Sequence, residues 1–592
     1  MVHSRPSSFA AAALLAALLP ALATAAAPPL PTPGPTPRPG PLVKNVDVTV
    51  TNIDVVVTDS KGNRVKGLTK EDFEVYEDGQ LQPLTNFFAV DGGKVVFFGD
   101  EAVSGVAPSP AAAVPSPTPA AAAPSPTPAP AEPAAAPLPT PRTRIVIFID
   151  NLSLQPFNRN RILRSVETWV RENVKDSVEA MVVTWDRSLK VKRKFTNDGR
   201  EISDVLKQQE DLSTLGQTRI SERRDLMKQI DESKSETEAF GYVRQYVLAY
   251  KNDLDFTTEA MKKTIDQLAG VEGRKILLHV SEGLPQSPGL EMWKYVQDKY
   301  HTQTGGLSSF EFDKTAAYLG IIRAANAAGV SMYMVDASGL SIDSGISAEN
   351  RTTDAKIDSF VERTNLQGMI QLMAEETGGK AILNRNDVTG PLNDMRADYT
   401  SYYSVGYRSL RSGGERPRKV DVKMKKKGLV ARARRSYVEK GLETRITEGV
   451  TSALYFARDE NPLAVGIEVG QPAPADEQNY FVPIRIRVPF SRITLLPDGA
   501  TVRGRVILYF IVVDAAGKQS ELANQVVPVD VAASDLPKLT RQDFVYDVKL
   551  LMIPGGQRLS IAVRDEPTNT VSYVQQSIFV SALPPETRPA GK

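Results

Sequence analysis

The chain has 592 residues, which is too long for a single hydrophobic core. Its formal net charge of +1 excludes a polyanion binder that is basic over its whole surface, although a local basic patch remains open. The absence of cysteine excludes a disulfide framework, a cysteine nucleophile, a thiolate zinc site and a lipid anchor at a lipobox cysteine.

Residues 1–25 are predicted to form a secretory signal peptide. An apolar stretch from Phe9 to Leu22 follows His3 and Arg5, and small residues stand at 23–25, where a signal peptidase would cleave. This stretch is shorter than the roughly 20 apolar residues that span a bilayer, and no later segment approaches that length without charges. We therefore expect an exported protein, periplasmic or secreted, that has no membrane span.

Two short tracts hold 21 of the 42 prolines. They lie in residues 26–43 and 103–142, and both have too few large apolar side chains to form a core. Proline favours extended, semi-rigid backbone in such segments. We predict that both tracts are linkers between folded regions.

Residues 44–98 are predicted to form a small β module, because apolar and polar residues alternate there. In its second half, Thr69 is suited to cap a short helical turn, which is followed by a predicted strand at 73–76. The dipeptide Asp78-Gly79 that comes next favours a hairpin turn.

The region 143–438 alternates buried strands with helices. Continuous apolar runs at 145–149 and 178–185 are typical of strands covered on both faces. Further strands are predicted at 275–280, 330–335, 381–383 and 402–407, and helices around 201–210, 254–269, 310–328, 358–376 and 387–397. Strands that alternate with helices need long crossovers, so the pattern predicts a doubly wound, Rossmann-like α/β sheet.

A highly charged insertion lies between residues 218 and 250. One helical stripe of it is apolar or aromatic: Phe240, Tyr242, Val243, Tyr246, Val247 and Tyr250. We predict helices packed on the rim of the sheet with this stripe facing the core.

The tail at 445–583 has a different pattern. Strands are predicted at 480–488, 502–513, 544–553, 558–564 and 571–580, separated by Gly-containing turns and without a convincing helix. This spacing predicts an antiparallel β-sandwich.

Three stretches in this order resemble von Willebrand factor A-type (VWA) domains, in particular a branch found in exported proteins of Acidobacteria. They are IFIDNLSL at 147–154, LMAEETGG at 372–379 and YYSVGY at 402–407. The upstream segment at 54–79 also resembles the β module that precedes the VWA domain in that branch. The resemblance covers more than half of the chain and implies a protein-recognition domain.

The resemblance also implies a metal-ion-dependent adhesion site at the carboxyl ends of the strands. The family motif Asp-x-Ser-x-Ser is broken here: Asp150 is present, but Leu152 and Leu154 stand at the serine positions. Ser153 supplies a hydroxyl, out of register. A second Asp-x-Ser, which begins at Asp336, follows a later strand and is predicted to be an edge loop.

A degenerate metal site would comprise Asp150, Ser153, Thr218 and Glu282, the last two near the positions of the family's loop threonine and later aspartate. Mg²⁺ or another divalent cation needs several hard oxygen ligands, and an electrophilic ion could then take an acidic group from a partner. Two leucines remove two ligands, so Ser153 or Asn151 could replace them only if the loop takes a different course. Otherwise Asp150 would accept backbone N–H bonds near a helix N-terminus.

Catalytic constellations are not apparent. His279 lies inside an apolar strand and is predicted to be a satisfied core histidine, and His301 follows a charged helix. Neither is accompanied by Gly-x-Ser-x-Gly or His-Glu-x-x-His. We therefore expect a protein that is not an enzyme, with a secreted hydrolase as the rejected alternative.

Residues 411–440 hold twelve lysines and arginines against three acids. Alternation at 420–425 predicts a β-hairpin with one buried face and one basic face. The candidate polyanion contacts are Lys423, Lys425, Lys426, Lys427, Arg432, Arg434 and Arg435. The alternative interpretation is that this segment is a solvent-exposed strand that binds no polyanion. Aromatic residues are not interleaved with these cations, so we expect an anionic envelope polymer rather than nucleic acid if the face binds.

These observations predict an exported binding protein whose VWA-like domain recognises a protein partner or supports adhesion. The partner would be an unidentified protein of the envelope or of the extracellular space. The alternative is a structural component of the cell envelope that the basic hairpin holds to anionic envelope polymers.

Overall fold

A computed structural model of the chain describes residues 50–96, 142–302, 310–340, 359–409, 414–456, 460–476 and 478–581. The predicted signal peptide and the predicted linker at 26–43 lie outside these residues, and so does the linker at 103–142 apart from its last residue.

The N-terminal described segment is all β. Its strands are β1 (Val50–Asp59), β2 (Phe73–Glu77), β3 (Gln80–Gln82), β4 (Leu84–Asp91) and β5 (Lys94–Val96). The predicted helical turn is a short 3-10 helix at Lys70–Asp72, where the Thr69 amide donates to Asp72 Oδ2 at 3.0 Å. Asp78 and Gly79 both have positive φ, 48° and 81°, and join β2 to β3 as the predicted turn.

The next segment alternates strands and helices. Its elements are β6 (Thr143–Asp150), α1 (Pro156–Asn173), β7 (Val178–Trp185), β8 (Leu189–Thr196), α2 (Gly199–Glu210), α3 (Gly216–Glu232), α4 (Glu236–Leu268), β9 (Arg274–Ser281), α5 (Leu290–Tyr300), α6 (Thr315–Ala328), β10 (Val330–Asp336), α7 (Ser359–Glu376), β11 (Ala381–Ile382) and α8 (Thr389–Thr400). The sheet order is β11-β10-β9-β6-β7-β8, with every neighbouring pair parallel except β7 and β8. The predicted mixed α/β architecture with a parallel sheet is confirmed.

Helices cover both faces of this sheet. On β6, Ile145, Ile147 and Ile149 face the core that α1, α2 and α8 complete. Val146 and Phe148 face the opposite core, which α4, α6 and α7 complete. Burial on both faces explains why the strand is a continuous apolar run rather than an alternating one.

The charged insertion begins in α3, and its part from residue 236 onward forms one long helix, α4, together with the predicted helix at 254–269. Glycine and proline are absent from residues 242–268, so nothing in the local sequence interrupts the helix. Its first half packs with α3 and α5 around Trp293, in a small core that includes Val243 and Val247 as the apolar stripe predicted. Within the described ranges, α4 included, no helix has the length and hydrophobicity to cross a membrane.

Four strands follow: β12 (Tyr402–Arg408), β13 (Pro417–Met424), β14 (Leu429–Arg432) and β15 (Ser436–Val438). Residues 402–407 were predicted to be a strand of the doubly wound sheet, but β12 runs antiparallel to β1 and β4. A buried apolar strand can belong to either sheet, so only its hydrogen-bonded partner strands decide which sheet it joins. Here the chain leaves α8 and returns to the N-terminal strands.

The β module therefore contains strands from both sides of the α/β segment. One sheet has the order β14-β1-β12-β4-β5 and the other β15-β13-β2-β3. Ile53, Val55 and Val405 of the first sheet pack against Phe73 and Val75 of the second. Residues 50–96 thus share one core with residues 402–438.

The hairpin predicted in the basic segment does not form as a paired ladder. β13 pairs with β2 and β15, whereas β14 pairs with β1 in the other sheet. The turn at residues 425–428 crosses from one sheet to the other because each strand has a partner in the N-terminal segment.

The C-terminal elements are α9 (Leu442–Ala453), β16 (Gly466–Val469), β17 (Ala473–Pro474), β18 (Tyr480–Pro489), β19 (Leu496–Asp498), β20 (Thr501–Asp514), β21 (Ala523–Ala532), α10 (Leu536–Leu539), β22 (Asp543–Met552), β23 (Gly555–Asp565) and β24 (Thr570–Val580). Two antiparallel sheets enclose one core, the predicted sandwich arrangement. Helix α9 was not predicted. Its Ile446 and Val450 pack on the outer face of β20, against Ile507 and Tyr509.

Candidate functional site

A cavity of about 320 Å³ opens at the carboxyl ends of β6, β9 and β10. Its lining comes from the loops that follow these strands and from α3, α4, α5 and α7. The carboxyl end of a parallel sheet is the place where open α/β folds bind ligands. The cavity is therefore the first candidate for a functional site.

The loop after β6 is folded around Asp150, which is buried. Asp150 Oδ1 accepts a hydrogen bond of 3.1 Å from the Leu152 amide. Leu152 and Leu154 point into the two cores on opposite sides of the sheet. Gly216 at the start of α3 lies so close that a Cβ there would be 2.4 Å from the Leu154 carbonyl oxygen. The loop is thus fixed by packing.

Ser153 and Glu282 lie next to each other at the cavity. Ser153 Oγ accepts from the Glu282 amide at 3.3 Å. The Glu282 carboxylate accepts from the Gln155 amide at 2.6 Å, from Gln155 Nε2 at 2.8 Å and from Asn158 Nδ2 at 3.1 Å. Glu282 therefore holds the loop after β6 against the loop after β9.

Thr218 is placed differently from the other three predicted site residues. Asp150, Ser153 and Glu282 all line the cavity, whereas Thr218 is an exposed residue of the first turn of α3. Its amide donates to the Leu215 carbonyl at 3.1 Å. The match of this loop to the family pattern was loose, and the residue that lines the cavity here is the next one, Arg219.

The donor set does not fit a divalent cation of the adhesion-site type. The side chains at the two motif serine positions are buried leucines, and the carboxylate of Glu282 already accepts three hydrogen bonds. In the part of the chain that the structure describes, no three His, Asp or Glu side chains are grouped so that they could hold a metal ion. The arrangement around Asp150 is the one expected for a carboxylate held by backbone N–H groups.

Two arginines of α3, which were not among the predicted site residues, occupy the cavity wall. The Arg219 guanidinium lies 3.7 Å from the ring centroid of Tyr250 and its Nη2 is 2.9 Å from Asp253 Oδ2. Arg223 Nη1 is 2.5 Å from Glu362 Oε1. Each cation is thus matched with a carboxylate inside the protein.

Two carboxylates at the cavity carry strongly shifted pKa values. Burial raises the pKa of Asp150 to about 6, although the hydrogen bond from Ser153 acts in the opposite direction. Burial raises the pKa of Glu291 to about 7, and repulsion from Glu362 adds to the shift while attraction from Arg223 opposes it. Groups with shifted pKa values in a cavity are typical of functional sites.

Asp336 also lines the cavity, although its loop was predicted to be an edge loop. Its Oδ1 accepts from the Ser338 amide at 3.0 Å and from Ser338 Oγ at 2.6 Å, and Oδ2 accepts from Gln367 Nε2 at 2.7 Å. β10 lies between β9 and β11, so its carboxyl end is close to that of β9. The Asp-x-Ser pattern was visible, but the order of the strands was not.

The seven predicted polyanion contacts do not share one face. Arg432 Nη1 donates to the Gly379 carbonyl at 3.1 Å, and Arg434 Nη2 donates to the Asn52 carbonyl at 2.9 Å. Lys426 Nζ lies 3.0 Å from Asp72 Oδ1. The remaining four, Lys423, Lys425, Lys427 and Arg435, are exposed. Arg432 and Arg434 therefore serve internal contacts.

The two histidines among the described residues, His279 and His301, lie outside the cavity lining. His279 is fully buried on β9 beside Phe148, with ring centroids 5.5 Å apart, and burial lowers its pKa to about 3. Its core position is confirmed, but neither ring nitrogen has a hydrogen-bond partner among the described residues. His301 is an exposed residue at the end of α5.

No protein-family model matches the chain, and no curated protein matches it. Solved structures match parts of it. An aerotolerance-related membrane protein from Bacteroides fragilis NCTC 9343 is 11% identical with a TM-score of 0.21, covering 43% of this chain and 98% of its own. BatB from Bacteroides thetaiotaomicron is 14% identical with a TM-score of 0.20, with the same two coverages. The PilB minor pilin from Streptococcus sanguinis is 6% identical with a TM-score of 0.26, covering 44% of this chain and 62% of its own. Similarity this low carries no functional argument.

Proposed function

We propose that the chain is an exported, non-enzymatic binding protein whose VWA-like domain recognises a protein partner, in the envelope or outside the cell. The observation that carries this proposal is the cavity at the carboxyl ends of β6, β9 and β10, which is wide enough for a side chain and walled by fixed, hydrogen-bonded groups. The strand order of the doubly wound sheet and the loop after β6 support the VWA-like assignment.

The chemistry of the described lining supports binding rather than turnover. Histidine and lysine are absent from it. Its two serines are engaged, since Ser153 Oγ accepts from the Glu282 amide and Ser338 Oγ donates to Asp336. A serine nucleophile would therefore have no imidazole or amine base beside it.

An apolar rim beside the cavity provides a surface for a protein partner. Phe157 is 75% exposed and Leu340 is 61% exposed. Arg161 connects their loops, because its Nη2 donates to the Ala337 carbonyl at 2.6 Å and its guanidinium lies 5.7 Å from the Phe157 ring centroid. Exposed aromatic and aliphatic groups around a polar depression are typical of protein contact surfaces.

Site-specific photocross-linking tests the proposal. A photoreactive phenylalanine analogue replaces Phe157, and a second protein carries it at Val526, which is 44% exposed on the C-terminal sandwich. Both are incubated with envelope and secreted fractions of the source organism. We expect a discrete cross-linked protein from position 157 and none from position 526. Equal labelling from both positions, or turnover of a glycan, ester or peptide by the purified protein, would contradict the proposal.

A further inference from the structure

The cavity lining is acidic in balance. Six carboxylate residues line it against three arginines. The carboxylates are Asp150, Asp253, Glu282, Glu291, Asp336 and Glu362, and the arginines are Arg219, Arg223 and Arg363. A cavity with this excess of negative groups attracts cations and repels acidic ligands.

Among the carboxylates that line the cavity, Glu291 is the one without a counter-ion or a hydrogen bond from another described residue. It lies at the start of α5, is 8% exposed and lines the cavity. Its carboxylate accepts a hydrogen bond from its own backbone N–H, whereas the other side chains of the described residues place no hydrogen-bond donor and no ion-pair partner on it, and Arg223 and Arg219 attract it only at longer range. A buried carboxylate without a counter-ion is costly, and a ligand cation would reduce that cost.

The wall beside Glu291 already holds one cation. Arg219 stacks on Tyr250 at 3.7 Å and pairs with Asp253, and the Tyr246 ring lies 6.1 Å from that of Tyr250. Aromatic faces next to carboxylates are the usual surroundings of bound ammonium and guanidinium groups. The protein's own arginine thus shows the kind of group that this wall accepts.

The geometry points to a cationic side chain, lysine or arginine, as the group that the protein partner inserts into this cavity, with Glu291 as its counter-ion. This inference rests on the proposed function, because it names the chemistry of that same site. In the metal-dependent adhesion site that the resemblance implied, a metal ion would bind an acidic group of the partner. Here the charges are reversed, because a carboxylate of this protein would bind a cationic group of the partner.

An acidic ligand fits this cavity less well than a cationic one. Arg219 and Arg223 would have to give up Asp253 and Glu362 to receive it. A carboxylate inserted without that exchange would lie next to Glu291 and raise the repulsion already present from Glu362. The observations therefore favour a cation over an anion.

Saturation-transfer NMR with blocked amino acids tests the inference on the purified protein. The probes are Nα-acetyl-lysine methylamide, its uncharged analogue Nα-acetyl-norleucine methylamide, and Nα-acetyl-glutamate methylamide. We expect the lysine probe to bind with a Kd of about 1 mM and the other two to bind at least about tenfold more weakly. Free n-butylammonium, tested in parallel, separates recognition of the amine alone from recognition of a residue within a peptide.

Two matched variants locate the binding. Glu291→Gln removes the charge with little change of shape, and we expect it to weaken the lysine probe at least about tenfold. Glu167→Gln is the control: burial also raises the pKa of Glu167 to about 7, but this residue lies on α1 outside the cavity lining. Its binding of the probe should equal that of the unchanged protein. Melting temperatures establish that both variants are folded.

The outcomes separate this inference from the proposed function. Equal binding of lysine and norleucine probes, stronger binding of the glutamate probe, or full binding by the folded Glu291→Gln protein would each overturn the cationic ligand. If position 157 still cross-links a partner in that case, the protein-contact proposal stands. Loss of the position-specific cross-link with lysine binding intact would instead overturn the protein-contact proposal.

Discussion

Tyr333 donates a hydrogen bond of 2.6 Å from its hydroxyl to Asp398 Oδ2, which joins the parallel sheet to α8 at a fully buried carboxylate. Arg64 of the β module and Arg432 of β14 form ion pairs with the same carboxylate. Burial opposes ionisation of Asp398, yet these two arginines and Tyr333 hold its pKa below the ordinary value. One side chain thus connects the α/β segment to the flanking β module.

Asp398→Asn should destabilise the protein strongly. It removes the counter-charge of Arg64 and Arg432 at once, and breaking a buried ion pair from one side costs about 3–5 kcal/mol. Urea unfolding at pH 7 measures the change. The folded-state pKa is lowered, so the contribution of Asp398 is present above its unfolded pKa near about 4 and is lost as the pH falls through the folded value.

Asp394→Asn is the matched control on the same helix. Asp394 is 63% exposed and its contact with Lys380 is 3.4 Å long. An exposed pair of this kind contributes little, so we expect a change within about 0.5 kcal/mol. A loss of equal size in both variants would mean that α8 tolerates no substitution, and would argue against the buried network as the cause.

Asp150→Asn should stabilise the protein above neutral pH. Asp150 is buried and its folded-state pKa is about 6, above the ordinary value of 3.8, so its ionised form opposes folding. The stability of the unchanged protein should therefore fall as the pH rises from about 4 to about 6 on account of this group. Asparagine keeps an acceptor for the Leu152 amide. We expect a gain of about 1–3 kcal/mol at pH 8 that disappears below pH 4, measured by denaturant unfolding across the pH range. A pH-independent difference would contradict this assignment.

His279→Leu should also stabilise the protein, with the opposite pH dependence. The folded-state pKa of about 3 lies below the unfolded value of about 6.5, so the unfolded state binds a proton that the native state does not. The unchanged protein should lose up to about 1.4 kcal/mol per pH unit through this group as the pH falls from 6.5 to 3. Leucine removes both the two unsatisfied ring nitrogens and this titration. Thermal melts at pH 8 and pH 5 should show a larger gain at pH 5, and a loss at both values would mean that the histidine is satisfied after all.

The fold could be predicted where the pattern is local. The alternation of β18 and of β23, the turn at Asp78-Gly79 and the apolar run of β6 each follow from the residues themselves. Pairing partners are not local. Strand β12 is equally apolar in either sheet, and its antiparallel pairing with β1 brings together residues more than 300 positions apart. Periodicity alone does not carry that information.

The residues of the candidate site could likewise be predicted only where their position depends on the local sequence. Asp150, Ser153 and Glu282 lie at the cavity because each follows a strand whose carboxyl end could be predicted. Arg219 and Tyr250 could not be assigned to it, since they belong to the charged insertion, and its helices could have packed anywhere on the rim. The helical spacing of Tyr250 relative to Val243 and Val247 predicted a packed stripe, but which end of the sheet that stripe covers depends on the crossover from α4 to β9.

Adding Mg²⁺, Mn²⁺ or Ca²⁺ should not raise the melting temperature, and restoring the serines of the adhesion motif should not create a metal site. An ion that binds only the folded state at 100 times its Kd would stabilise by about 2.7 kcal/mol, which a melt in EDTA against excess metal would detect. Leu154→Ser should instead cost about 2–5 kcal/mol, because Leu154 is completely buried in the core that α1 covers and the hydroxyl has no partner there. Ser153→Ala is the control for a hydroxyl that is already at the cavity and should cost less. A metal-dependent rise that Asp150→Ala abolishes would show that the loop after β6 holds an ion, and the cationic side chain inferred for the cavity would then compete with that ion for the same carboxylates.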